Sequence, residues 1–171
     1  MPRHIENRTK KTVILGLMSA LSLAVYAIES LIPPLLPVPG IKPGLSNIIT
    51  LYCLRVFGKK EAGAVLLVRI LISFFLFGNA TSLIYSLIGG AAALGIEILC
   101  DLLLKGRKLC ITGAFGGLFH NAGQLVTASL IMGSGAVFFY APHLALSGIL
   151  TGCFTGLCAH YMLRIKIPEN P

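Results

Sequence analysis

Arg69 lies near the middle of an apolar run, Ala62–Phe77, too deep for its guanidinium to reach water comfortably. Its planar fork of five donors suits a phosphate or carboxylate on a ligand. An internal ion pair with Glu29 or Glu97 would satisfy it equally. A second apolar run carries His120-Asn121-Ala122-Gly123-Gln124, three hydrogen-bonding side chains within about a turn and a half, with His120 and Gln124 four apart on one face. This cluster suits the lining of a binding cavity, and also the internal satisfaction of polar neighbours. The segment Pro39-Gly40-Ile41-Lys42-Pro43-Gly44-Leu45-Ser46-Asn47 sets a cation and two small polar side chains at a helix start, whose free N–H groups point toward an anion. Ordinary loop-to-helix junctions use the same residue types. Asn79, after Gly78, falls on the same membrane side and is either part of that mouth or a plain turn residue. Glu97, Asp101 and Lys105 recur four apart; the simplest reading is an i, i+4 ladder ending on a cation at a helix C-terminus, the sharper one a cation pathway.

Metal and redox chemistry find no support in this pattern. The other histidines, His4, His143 and His160, stand at loops or ends, and no carboxylate or Cys lies at ligand spacing from His120. Five cysteines, an odd number without a C-x-x-C pair, read as small packing residues. No G-x-x-x-x-G-K-[ST] occurs, so any use of ATP belongs to another subunit.

The elements that position these residues are membrane spans. Of 171 residues 56% are hydrophobic and 12% charged, and the mean hydropathy is +0.86, which excludes an ordinary soluble domain. At about 20 apolar residues per crossing the chain holds about six spans and little else. These fall at about Thr12–Ile32, Gly44–Phe57, Ala62–Phe77, Thr81–Leu104, Leu109–Ile131 and Ala141–Leu163, in one transmembrane domain, 12–163, between a short N-terminal segment, 1–11, and a tail, 164–171. The Pro33-Pro34 pair stops the first span. All of the 14 Lys and Arg except Lys42 and Arg69 fall before the first span, around the turns after the second and fourth, or after the sixth. The positive-inside rule then predicts an all-α six-helix bundle with both termini in the cytoplasm of a cell membrane. The net charge of +8 follows from that topology and does not call for nucleic acid as a partner. Glycines cluster inside the helices, as close packing in lipid requires, and Gly16, Ala20 and Ala24 form a small-residue stripe on the first helix that suits another helix or a partner subunit.

With Pro39–Asn47, the in-span Arg69, the Gly78-Asn79 turn and His120–Gln124, the chain resembles the Gx transporter family, also labelled heptaprenyl diphosphate synthase component I, from first helix to last. That family is similar in turn to the substrate-binding S components of energy-coupling-factor transporters, six-helix proteins that capture vitamin-like solutes in an outward pocket. In those, small residues on the first helix meet a transmembrane coupling subunit that works with ATPases. The resemblance implies that role for Gly16, Ala20 and Ala24, although Gly16 stands where Ala is usual. The two family labels imply different functions. Prenyl diphosphate synthesis needs clustered aspartates to hold Mg²⁺ against the diphosphate, and this chain has one Asp, so it is not expected to be an enzyme. The expectation is a transport component, without cofactor or metal, that binds an anionic or amphipathic solute such as a vitamin, flavin or quinone precursor. Lys42, Ser46, Asn47 and Asn79 would line its mouth, with Arg69, His120, Asn121 and Gln124 deeper. The alternative is a non-catalytic membrane accessory that works with a soluble prenyl synthase subunit.

Overall fold

The computed structural model describes residues 3–31, 42–77 and 80–165, with side chains from Arg8 onward. They form six α-helices: α1 (Arg3–Leu31), α2 (Asn47–Val56), α3 (Lys59–Phe77), α4 (Ala80–Leu103), α5 (Leu109–Met132) and α6 (Ala141–Arg164), with a short 3-10 turn, Gly135–Tyr140, before α6. No strand occurs among the described residues, so the all-α class stands.

The polarity of the bundle is the reverse of a soluble one. On α1 the buried face is Ser19, Ser22, Tyr26 and Glu29, spaced by three or four, while Val13, Leu17, Leu21 and Ile28 face out. Phe75, Leu130 and Phe139 are more than 70% exposed on other helices, whereas Arg69, Glu97, Asn121 and Gln124 are almost wholly buried. An apolar exterior over a polar interior is what lipid selects. Three helical stretches are long and apolar enough to cross a bilayer: Arg8–Leu31, Ala80–Leu103 and Gly135–Arg164. The chain is a membrane protein.

The six expected spans divide by their chemistry. Besides those three stretches, α3 and α5 have the length, but α3 carries Lys59, Lys60, Glu61 and Arg69, and α5 its polar and glycine residues. The 10 residues of α2 rise only about 15 Å, half the hydrocarbon thickness of about 30 Å. It is preceded by an irregular stretch, 42–46, rather than beginning at Gly44. At the other end of the chain's first span, α1 starts at Arg3, so the basic N-terminal segment continues the helix.

The basic turns gather at one end. Lys11 of α1 pairs with Glu61 at the start of α3 (2.6 Å), and Arg55 at the end of α2 pairs with Asp101 at the end of α4 (2.8 Å). The second pair corrects the expected Glu97–Asp101–Lys105 ladder. Lys105 and Gly106 have positive φ (49° and 68°), which ends the helix before Lys105 joins it, and the Arg55 guanidinium fills the space where a Cβ on residue 106 would stand.

The closest packing is between α5 and α6. A Cβ on Gly113, Gly117, Gly148, Gly152 or Gly156 would run into the backbone of the opposite helix. Glycine there lets the two helices touch main chain to main chain, the small-residue packing expected when lipid gives no hydrophobic drive.

Candidate functional site

The break before α2 lies inside the bundle, so its backbone N–H groups need protein partners. Glu29 of α1 supplies them: its carboxylate accepts from Gly44 N, and from Ser46 N at 3.4 Å. Ser46 O accepts from Ser22 Oγ (3.2 Å), and Lys42 N donates to Gln124 Oε1 of α5 (3.2 Å). Two helices, α1 and α5, therefore hold one interrupted segment. Gly44 is needed twice over: its φ is +83°, and a Cβ there would stand 2.8 Å from His120 Cδ2.

The His120 ring joins the same network. Its Nε2 is 2.9 Å from Gln124 Nε2 and its Nδ1 is 3.2 Å from the Asn47 side-chain amide. Because Gln124 Oε1 is occupied by Lys42 N–H, Gln124 must donate to Nε2. A neutral imidazole accepts at one nitrogen and donates at the other, so Nδ1 carries the hydrogen and the Asn47 amide is assigned with its oxygen, not its nitrogen, toward Nδ1. The relay then runs in one direction: Lys42 N–H to Gln124, Gln124 to His120, His120 to Asn47.

Beside this network is a void lined by Tyr26, Glu29, Lys42, Gly44, Ser46, Arg69, Ser86, His120 and Gln124. Arg69 Nη1 donates to Ser46 Oγ and Arg69 Nε has no partner. The Arg69 guanidinium carbon lies 6.0 Å from the centre of the Tyr26 ring, and Lys42 Nζ lies 3.8 Å from the same centre. Tyr26 Oη is 2.8 Å from Ser82 Oγ. Two cations thus stand at one aromatic ring, and the one carboxylate of the void, Glu29, is engaged by backbone N–H groups. The surplus charge is positive and suits an anion. The empty space is about 200 Å³ including the part open to solvent, but the room within it is about that of one water molecule, so in this conformation the void is a small polar mouth that must widen to take an anionic head.

Among the expected site residues, Lys42, Ser46, Arg69, His120 and Gln124 meet at this void, and Asn47 stands behind it through His120. Asn121 is turned away: its Nδ2 donates to Leu144 O of α6 at 2.8 Å, since one residue along a helix rotates the side chain about 100°. Asn79 lies outside the described residues. Arg69 forms no ion pair with Glu29 or Glu97; Glu97 packs against Gly116 of α5, on another layer. Gly16, Ala20 and Ala24 face outward, with nothing near a Cβ built on Gly16, so no other helix of the described chain docks on that stripe. Four lining residues, Tyr26, Glu29, Gly44 and Ser86, were not among the expected site residues, although Glu29 was named as an internal partner for Arg69 and Gly44 belongs to the Pro39–Asn47 segment. Tyr26 and Glu29 had a signal, a buried-type polar pair three apart in an apolar helix, whereas Ser86 had none. No group of three or more His, Cys, Asp or Glu that could hold a metal occurs among the described residues.

The family of heptaprenyl diphosphate synthase component I matches over residues 18–162, from within α1 to near the end of α6. The chain belongs to this family. The match takes in every described residue of the void. Neither the curated proteins nor the solved structures contain a match to the chain.

Proposed function

We propose that this family member is a non-catalytic membrane component of prenyl diphosphate metabolism, which holds the anionic head of an amphipathic molecule between Lys42 and Arg69 and works with a soluble prenyl synthase subunit. The family match over residues 18–162 carries the reading. The single Asp101, tied to Arg55, supports a non-catalytic role, because no pair of carboxylates is available to clamp Mg²⁺ on a diphosphate. In this reading all six helices lie in the cell membrane, α2 and the 42–46 break together form one crossing, and the basic end faces the cytoplasm.

The test adds a short prenyl diphosphate, and inorganic diphosphate alone, to the purified protein and follows its melting temperature. The prenyl diphosphate raises it for the native chain and not for Arg69→Gln; no shift with the native chain sinks the reading. Gentle purification from native membranes should also retain a soluble prenyl synthase.

One observation favours a second reading, solute capture for transport. The void lies toward the ends of α1 and the starts of α2 and α4, away from the basic turns, and so would open to the outer side. In that case the outward-facing Gly16, Ala20 and Ala24 stripe would meet a coupling subunit that works with ATPases. Recovery of ATPases instead of a synthase in the same purification decides for this alternative.

A further inference from the structure

Glu97 is the buried carboxylate that the void does not use. It is 1% exposed, and its Oε2 has no hydrogen-bond partner. Its carboxyl occupies the place where a side chain on Gly116 of α5 would be: a Cβ there would stand 2.9 Å from Glu97 Cγ and 3.0 Å from Cδ. Glycine at 116 therefore makes room for this acid.

No cation of the described chain answers it. The two ion pairs among the described residues are Lys11–Glu61 and Arg55–Asp101. On α4 itself the titratable neighbours are Cys100 and the paired Asp101. The elements packed on α4 carry Tyr52, Cys53 and Arg55 on α2, Lys59, Lys60, Glu61 and Arg69 on α3, and Cys110 and His120 on α5, none of them ion-paired with Glu97. Arg69 shares its void with Ser86, eleven residues from Glu97 and about 16 Å along the helix. Arg55 bonds Asp101, and His120 is engaged by Asn47 and Gln124.

A second unpartnered oxygen lies on the same layer. The Asn47–His120 contact places these two residues at one level, on helices that run in opposite directions. Thr50 is one turn on from Asn47 and Gly116 one turn back from His120, so both steps lead to the level where Glu97 rests on Gly116. Thr50 Oγ1 is buried and has no partner. An ionised carboxylate held away from water with neither cation nor donor is not a stable arrangement, and it is neutralised by taking up a cation.

We propose that Glu97, with Thr50 at its level, binds a small monovalent cation, a proton or a sodium ion, between α2, α4 and α5. The site is separate from the anion void and gives the bundle a cation-linked step, since separating α4 from α5 would bring the carboxylate to water and release the ion.

Dicyclohexylcarbodiimide, which reacts with protonated carboxyls in apolar surroundings, tests this on the full chain in detergent, with peptide mass spectrometry locating the adduct. In sodium-free buffer at mildly acidic pH, Glu97 should be modified about tenfold more than Glu29, whose oxygens are held by Gly44 and Ser46 N–H. Added sodium that suppresses the adduct at constant pH identifies a sodium site. An adduct indifferent to sodium and lost on alkalinisation identifies a proton site. The folded Glu97→Gln protein should lose the matching sodium or pH dependence of its melting temperature. Glu97 modified no more than Glu29 in the native protein, while both react after unfolding in dodecyl sulfate, overturns the proposal.

Discussion

The α5–α6 contact and the break before α2 solve opposite problems with opposite materials. Between α5 and α6, glycines remove side chains so that two backbones meet, and little beyond shape is specified. Around residues 42–46, the backbone has lost its helical partners, and Glu29 and Gln124 accept from it in their place, with His120 and Asn47 bonded in turn behind Gln124. The first region tolerates no added volume; the second tolerates no lost polar atom. Polar residues at membrane depth thus complete a broken backbone in this chain and, in the proposed function, leave Arg69 and Lys42 over for an anion.

The largest effect should come from the polar region. Glu29→Ala leaves Gly44 N and Ser46 N without an acceptor, and at about 1–3 kcal/mol for each buried unsatisfied group it should cost about 2–6 kcal/mol. Thermal unfolding in detergent reads the loss, and Glu29→Gln, which keeps one acceptor, should fall between. An unchanged melting temperature for Glu29→Ala would remove the contrast between the regions. Gly152→Ala comes next. Its methyl would meet Gly113 O and the Ala114 backbone, and overpacking of this kind costs about 1–3 kcal/mol. Binding of the prenyl diphosphate by whatever protein remains folded should be unaffected.

Asn121→Ala sharpens the boundary between the regions, because this residue adjoins His120 in sequence and serves α6 in space. Losing the bond to Leu144 O should cost about 1 kcal/mol of stability and leave ligand binding intact, whereas Gln124→Ala should impair both. The smallest effect lies at the basic end. The hydrogen bond from Lys11 holds the Glu61 carboxyl below the usual carboxylate range. The stabilisation is therefore present above the unfolded-state value and is lost as pH falls through the lower folded-state one. An exposed pair is screened by salt, so Lys11→Ala should abolish a small pH dependence seen at low ionic strength and change nothing measurable at high salt.

Composition and spacing alone determined the membrane setting, the helices, the basic end and the residues worth suspecting. These depend on local sequence: an apolar run long enough to cross lipid and a cation that stays near water, whereas the Pro33-Pro34 stop lies outside the described residues. The glycines of α5 and α6 were legible for the same reason, since small residues in lipid have few uses besides close packing. Tertiary structure decided the partners. A sequence cannot show that Glu29 serves a backbone 15 residues away, that Asp101 takes Arg55 instead of Lys105, or that His120 and Asn121 face different helices. Nor does it show α2 as half a crossing, because the apolar run continues through Leu45 while Gly44 and the carboxylate of another helix fix where the helix begins. Each of those outcomes depends on which polar atoms meet across helices in a medium without water, and only the packed bundle brings them together.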